Sequence, residues 1–134
     1  MRDKDPDHWL YRLDAGEWLR AAEGELGRAE QALAGKQHRA GVTQARRAAG
    51  MAWNAVLFIT GDEQGYGRSY MEHLQALARD PTVPEAVQTA AHALVAAPLA
   101  QTVVTLGKGD TSLARAAQVI LAAARERVAP TASA

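Results

Sequence analysis

One segment constrains the fold more than any other. Between residues 42 and 59, apolar side chains recur at alternating spacings of three and four residues. An α-helix turns once every 3.6 residues, so this spacing aligns them along one helix face. Trp53, Leu57 and Phe58 widen this stripe toward its end, and Gly61 is the predicted stop. So broad a stripe predicts a central helix with several neighbours. The stripe consists of Val42, Ala45, Ala49, Ala52, Val56 and Ile59.

A first helix is predicted before the central one. It is expected to begin near Asp5, with a proline tolerated in its first turn, and to end before Gly35. Gly16, Gly24 and Gly27 lie inside this range. Each glycine weakens a helix by about 1 kcal/mol relative to alanine, and the alternative is that these glycines allow another helix to approach closely.

Two shorter helices are predicted after the central one. Residues 61–69 contain three glycines and polar side chains, which predicts a loop. Ser69 followed three residues later by Glu72 is typical of a capping box, so a third helix is expected from Ser69 to Arg79, before Asp80-Pro81. A fourth helix is predicted between Pro84 and Pro98.

The C-terminal part predicts one more helix. For residues 99–109 the sequence does not decide between an extended strand and a further helical turn. Asp110, Thr111 or Ser112 is expected to cap the last helix, and a short tail from about residue 129 is expected to be disordered. The whole chain, residues 1–134, is therefore predicted to be one all-α domain, an antiparallel up-and-down bundle of four to five helices.

Composition excludes several classes of function. The 15 basic and 15 acidic residues balance, so no global field attracts nucleic acid or anionic lipid. Without cysteine there is no disulfide, thiol nucleophile or thiolate metal site. His8, His38 and His92 lie on separate segments without metal-ligand spacing, and no metal or other cofactor is expected. The N-terminus lacks the apolar run of a signal peptide and no membrane span is visible, so we expect a soluble cytoplasmic protein.

Three segments in order resemble the HEPN family of small α-helical bundles. They are WLRAAEGELGRAEQAL (18–33), ARRAAGMAWNAVLFITG (45–61) and EHLQALA (72–78), followed by an alanine-rich last helix. The pattern covers residues 9 to 128. The resemblance implies a bacterial protein that forms a homodimer or pairs with a nucleotidyltransferase-like partner in a toxin–antitoxin module, with nucleotide or RNA as a further ligand.

The chain departs from the family at informative positions. The family's second helix carries a glutamate and lysines where Gly50, Met51 and Asn54 stand here. Its third helix begins with His-Asp-Leu, where this chain has Glu72-His73-Leu74. In ribonuclease members, an arginine and a histidine with four to six residues between them lie on or just before the last helix, and this chain's last helix has no histidine.

A related spacing occurs elsewhere, in GRSYMEH, where Arg68 precedes His73 by five positions. Cleavage of RNA needs a histidine to move a proton at the 2′-hydroxyl and an arginine to neutralise the phosphorane. Arg68 and His73 are therefore the candidate catalytic pair of an RNA endonuclease. The alternative is that Arg68 is a solvated helix-start residue and His73 a packing residue.

Other polar residues are candidates for contact with a ligand or phosphate. Arg39, Arg46 and Arg47 form a basic cluster at the start of the central helix, which could contact phosphate or be a solvated face. Arg39 and Arg46 fall near one side, and Arg47 lies about 100° further around. Asn54 stands on a mostly apolar helix, so if buried it needs a hydrogen-bond partner, either across a dimer or within the chain.

The sequence thus leads to three interpretations. The first is a non-catalytic HEPN-like module for interaction or nucleotide binding. The second is the RNA endonuclease that uses Arg68 and His73. The third is a structural bundle with an unrelated ligand in an apolar cavity among Trp53, Phe58 and Leu74.

Overall fold

A computed structural model of the chain describes residues 9–61, 63–100 and 110–132. Within these ranges the secondary structure is helical and contains no strand, which confirms the all-α class. The elements are a 3-10 turn (Trp9–Arg12), α1 (Ala15–Ala34), α2 (His38–Thr60), the single turn α3 (Glu63–Tyr66), α4 (Tyr70–Arg79), α5 (Glu85–Ala96) and α6 (Ser112–Ala132). None of these helices is long and apolar enough to cross a membrane.

The central position of α2 is confirmed. This helix packs against α1, α6, α4, α5 and the 3-10 turn. Between Ala48 and Leu57 every residue except Met51 is buried, so its second half is enclosed on nearly all faces. A helix enclosed in this way is the core of the bundle, and its few polar side chains must find partners inside the protein.

The first helix begins later than the sequence prediction, which placed its start near Asp5. A 3-10 turn ends at Arg12, and α1 begins at Ala15. Asp14 is the N-cap: its carboxylate accepts from the Glu17 backbone N–H at 2.7 Å, and Glu17 accepts from the Asp14 N–H at 3.0 Å. This reciprocal capping box satisfies two backbone donors that would otherwise be unpaired, and it fixes the helix start at this position.

The close approach of another helix, which was the alternative role for Gly16, Gly24 and Gly27, does not occur at these glycines. A Cβ added at Gly16 or Gly24 would meet only side-chain atoms from the first turns of α1 or from Arg28. A Cβ at Gly27 would have no atom of the described residues within 4 Å. These glycines therefore do not serve helix packing.

Two glycines of α2 serve this purpose instead. A Cβ on Gly41 would lie 2.4 Å from Leu33 Cδ2, and a Cβ on Gly50 would lie 2.3 Å from Tyr70 Cδ1. Both distances are far below van der Waals contact, so glycine is what lets α1 and α4 place these side chains against the α2 backbone.

The other helix ends agree with the sequence in most respects. Gly61 ends α2 with a left-handed φ of 77°, and Ser69 caps α4 as predicted. The expected loop at 61–69 contains the single turn α3, and residues 101–109 of the undecided segment lie outside the described residues. Asp110 accepts from the Ser112 N–H at 2.9 Å, and α6 continues to Ala132, past the expected start of a disordered tail.

An aromatic cluster connects α3 to the rest of the bundle. The rings of Trp53 and Tyr66 lie 6.4 Å apart, and the Tyr66 hydroxyl donates to the Asp80 carboxylate. Arg127 of α6 lies 5.7 Å from the Trp53 ring and donates to the Thr82 carbonyl at 3.1 Å. These contacts hold Tyr66 in place, and with it the backbone carbonyl that faces His73.

Candidate functional site

A cavity of about 560 Å³ lies where the 3-10 turn, α1 and α2 meet the start of α4. Its volume is within the range of small-molecule sites. We call it the Asn54 pocket. It is lined by Arg12, Trp18, Asn54, Arg68, Ser69, Tyr70 and Glu72.

The start of α4 forms one side of this pocket. Ser69 Oγ accepts from the Glu72 N–H at 3.0 Å, and Glu72 Oε1 accepts from the Ser69 N–H at 3.2 Å. Hydrogen bonds to the carboxylate from the Ser69 backbone and side chain and from the Arg68 backbone lower the pKa of Glu72, so the carboxylate stays ionised. Gly67 allows the chain to enter the helix here, because its φ of 75° is left-handed and a Cβ would lie 2.7 Å from Glu72 Oε2.

Two aromatic side chains also line the pocket, Trp18 of α1 and Tyr70 at the start of α4. Trp18 is buried, and its indole N–H donates to the Leu10 carbonyl at 2.9 Å. Tyr70 is half-buried against Gly50, and this burial raises the pKa of its phenol. A neutral phenol with a flat ring beside an indole provides a surface for a planar group with one adjacent hydroxyl donor.

Behind the pocket, a buried chain of polar groups connects three helices. His73 of α4 is 0% exposed and Asn54 of α2 is 1% exposed. The His73 ring nitrogen Nε2 lies 2.7 Å from Asn54 Oδ1, and Nδ1 lies 2.8 Å from the Tyr66 carbonyl oxygen. The hydrogen bond expected for a buried Asn54 is therefore found within the chain, between two helices.

This chain of polar groups leaves one donor unsatisfied. Asn54 Nδ2 is buried and has no hydrogen-bond partner among the described residues. An unpaired buried amide costs about 1–3 kcal/mol, so native proteins seldom retain one without a use. Asn54 also lines the pocket, and the amide atom that His73 does not engage lies buried in the pocket wall.

Arg68 and His73 lie in different environments. Arg68 is exposed at the pocket edge, whereas His73 is buried with both ring nitrogens against protein oxygens. Burial lowers the pKa of His73, and the Tyr66 carbonyl and Glu72 oppose this effect. The endonuclease interpretation stays a prediction, and it requires a conformation in which the imidazole reaches the substrate.

The basic cluster of α2 divides into two parts. Arg46 donates to the carbonyls of Leu94, Val95 and Ala97 at 2.8, 3.3 and 2.7 Å, so it caps the end of α5. Burial lowers the pKa of this guanidinium. In this arrangement its donors are occupied by the protein, and Arg46 is a structural residue.

Arg39 and Arg47 are the exposed part of the cluster. They share an open hollow of about 670 Å³ at the start of α2, in which Gln44 also lies. The pairing differs from the helical-wheel expectation, which placed Arg39 beside Arg46, because the Arg46 side chain turns to the carbonyls of α5. Contact of Arg39 and Arg47 with phosphate stays a prediction.

The third interpretation needed Trp53, Phe58 and Leu74 around one apolar cavity. Trp53 and Leu74 are buried in the core, at 2% and 0% exposure. Phe58 instead lines an outer cavity of about 620 Å³ between the start of α1 and the ends of α2 and α6.

Sequence reasoning identified Asn54 and Arg68 but missed other members of the pocket. Arg12, Trp18 and Tyr70 were not among the candidates. One signal was present for Arg12 and Trp18, since the capping box Asp14-x-x-Glu17 marks a helix start between them. The contribution of Tyr70 could not be found, because it depends on Gly50 of another helix.

The composition of the pocket defines what it can bind. Two guanidinium groups, from Arg12 and Arg68, oppose the single carboxylate of Glu72, and the first turn of α4 adds its positive dipole end. Among the described residues, no group of three His, Asp or Glu side chains could hold a metal. The arrangement suits an anion attached to a flat polar ring.

Comparisons with protein-family models, with curated proteins and with solved structures give no match to this chain. The chemistry of the pocket therefore carries the functional argument.

Proposed function

We propose that this chain is a non-catalytic helical binding module that holds a small nucleotide in the Asn54 pocket. The observation that carries the proposal is the unpaired, buried Asn54 amide in a cavity edged by two arginines. Arg12 and Arg68 pair with the phosphate, the base lies beside Trp18 and Tyr70, and Asn54 bonds the edge of the base. No step of this role requires a proton donor or a nucleophile.

Binding is tested by calorimetry with the nucleoside monophosphates AMP, GMP, CMP and UMP. We expect at least one to bind, and Arg68→Gln to weaken it about 10-fold through loss of a charge-assisted hydrogen bond. Arg79→Gln is the matched control, since Arg79 is an exposed arginine at the other end of α4. Absence of binding by all four nucleotides, or equal losses in both variants, would contradict the proposal.

We further propose the finer architecture and setting that the family resemblance implies. These are an antiparallel HEPN-like bundle in the cytoplasm, acting as a homodimer or with a nucleotidyltransferase-like partner of a toxin–antitoxin pair. For the homodimer, support comes from Val119, which is 39% exposed beside the groove of about 520 Å³ between α5 and α6. Val119 extends the apolar lining that Ala90, Ala93 and Ala116 give this groove, and a contiguous apolar patch favours association.

Assembly is tested by a tagged pull-down from the native cell with light scattering of the recovered complex. A stoichiometric nucleotidyltransferase-like protein supports the two-component module, and a dimer of this chain alone supports the homodimer. Val119→Glu should then reduce the dimer to a monomer with an unchanged circular-dichroism spectrum. Recovery of a monomer without partner would refute both assemblies and leave nucleotide binding to be judged separately.

A further inference from the structure

His73 lies behind the pocket and faces two groups with different requirements. The Tyr66 carbonyl, 2.8 Å from Nδ1, can only accept a hydrogen bond, so Nδ1 must carry a proton. The Asn54 amide, 2.7 Å from Nε2, can either accept or donate, depending on which of its two terminal atoms faces the ring. The protonation state of His73 therefore decides the orientation of Asn54.

Each state of the ring has one consistent arrangement. A neutral imidazole has a single N–H, and here that group, at Nδ1, donates to the Tyr66 carbonyl. Nε2 then has only a lone pair, so it can accept a hydrogen bond from Asn54 Nδ2–H. A half-turn of the amide achieves this and leaves Oδ1 as the free atom. A protonated ring donates from Nε2 to Oδ1 and leaves Nδ2 free. The amide atom that Asn54 leaves free for the pocket is therefore a hydrogen-bond acceptor when His73 is neutral and a donor when His73 is protonated.

The surroundings favour the neutral ring. His73 is 0% exposed, and burial disfavours the imidazolium. Among the described residues, Glu72 acts on it as a charged group, and Glu72 lies on its own helix and is exposed. From α2 the ring meets the neutral Asn54, and from α3 the Tyr66 backbone.

The remaining helix against α4 adds no buried charge. The titratable residues of α5, Glu85 and His92, are both exposed. On α2, Arg46 is committed to the end of α5, and Arg47 is exposed and acts on Tyr70.

We infer that His73 is a specificity-determining positioning residue of the Asn54 pocket, although it does not line it. By accepting from Asn54 Nδ2, it turns Oδ1 toward the ligand and selects a nucleotide whose base offers an exocyclic amino group there. This inference rests on the proposed nucleotide binding. It deepens that proposal because the preference is assigned to a residue that the ligand never touches.

The selection is tested with AMP and IMP, which carry an amino group and a carbonyl at the same ring position. At pH 7.5 we expect AMP to bind about 10-fold more tightly or better, because IMP would set a carbonyl against Oδ1. At pH 5.5 the ratio of the affinities for AMP and IMP should become smaller, because protonation of His73 reverses the orientation of the Asn54 side-chain amide. The ratio is the readout, since titration of the phosphate affects both nucleotides alike.

The matched variant is Asn54→Asp, which presents an acceptor in either orientation. It should keep the preference for AMP and lose the dependence of the ratio on pH. Binding of both nucleotides with the same affinity at both pH values would refute the specificity role and leave the pocket intact. Binding of neither would refute the selection of AMP, and the titration with AMP, GMP, CMP and UMP then decides separately whether the proposed function stands.

A measurement without ligand tests the positioning step itself. Long-range ¹H–¹⁵N spectra of the imidazole at pH 7.5 should show the neutral tautomer protonated at Nδ1. A ring protonated at Nε2 alone would place Asn54 in the opposite orientation and overturn the inference, whichever nucleotide binds.

Discussion

The contacts of α2 with α1 and with α4 each use a glycine that lets a side chain of the other helix approach the α2 backbone. The two contacts differ in the groups that they bury. At the first contact, Gly41 admits the Leu33 side chain against the helix backbone, and at the second, Gly50 admits Tyr70. Only the second contact also encloses a hydrogen-bonded polar pair, Asn54 and His73. Close packing is therefore available without polar groups, and the desolvation cost of the pair at the second contact suggests a functional use.

The largest expected effect tests the apolar contact. Leu33→Ala should lower the free energy of unfolding by about 2–5 kcal/mol, because Leu33 is 2% exposed and its removal leaves a cavity. Gly41→Ala alone should cost about 1–3 kcal/mol through overpacking. In the double variant the new methyl group occupies space that Leu33 vacated, so its loss should be smaller than the sum. Urea denaturation of the four proteins measures this coupling.

Strict additivity in that cycle would contradict the view that Leu33 and Gly41 form one packing unit. Mutations at independent sites add to within about 0.5 kcal/mol, which sets the resolution needed.

The polar contact should respond differently to the removal of one partner or both. His73→Leu leaves the Asn54 amide wholly unpaired and should destabilise by about 1–3 kcal/mol. Adding Asn54→Leu removes the unpaired amide, so the double variant should recover most of the lost stability. Thermal unfolding by circular dichroism compares the three proteins. A double variant less stable than His73→Leu would show that the pair serves stability rather than the pocket.

The glycine of the polar contact gives the next smaller effect. Gly50→Ala should displace the Tyr70 ring and destabilise by about 1–3 kcal/mol, because the new methyl group would lie 2.3 Å from Tyr70 Cδ1 and 2.6 Å from its Cβ. Gly27→Ala is the control, on an exposed site of α1, and should stabilise by up to about 1 kcal/mol. Near-ultraviolet circular dichroism would report the displaced tyrosine, and an unchanged spectrum would argue against the contact.

Much of the fold could be predicted from the sequence because its signals are local. The stripe from Val42 to Val56, the stop at Gly61 and the cap at Ser69 each depend on residues within a few positions. Ile59, the last residue of the predicted stripe, is 36% exposed, so the prediction was wrong at that position. The start of α1 was predicted wrongly although its signal was equally local, since the Asp14 and Glu17 capping box outweighed a helix start near Asp5.

The candidate site was harder to predict because it is not local. The roles of Gly41 and Gly50 depend on side chains that lie on other helices. The chain of hydrogen bonds through Asn54 and His73 spans 19 positions in sequence. Periodicity identified Asn54 as a polar residue on an apolar helix, but it could not identify the partner, the pocket or the free amide atom.

The smallest expected effect is the pH dependence that the polar contact adds. Burial lowers the pKa of His73 from 6.5, so between that value and the lower folded-state pKa the unfolded chain binds more protons than the folded one. The stability that His73 contributes is therefore complete above pH 6.5 and declines as the pH falls through this window, by at most about 1.4 kcal/mol per pH unit.

The Asn54→Leu, His73→Leu double variant lacks this titration but retains the carboxylates Glu72, Asp80 and Asp110, whose pKa values are also lowered. The difference in stability between the wild type and this variant should thus fall with decreasing pH. A difference that stays constant from pH 7.5 to pH 5 would mean that His73 binds its proton equally well in both states, and the polar contact would then impose no preference for the neutral ring.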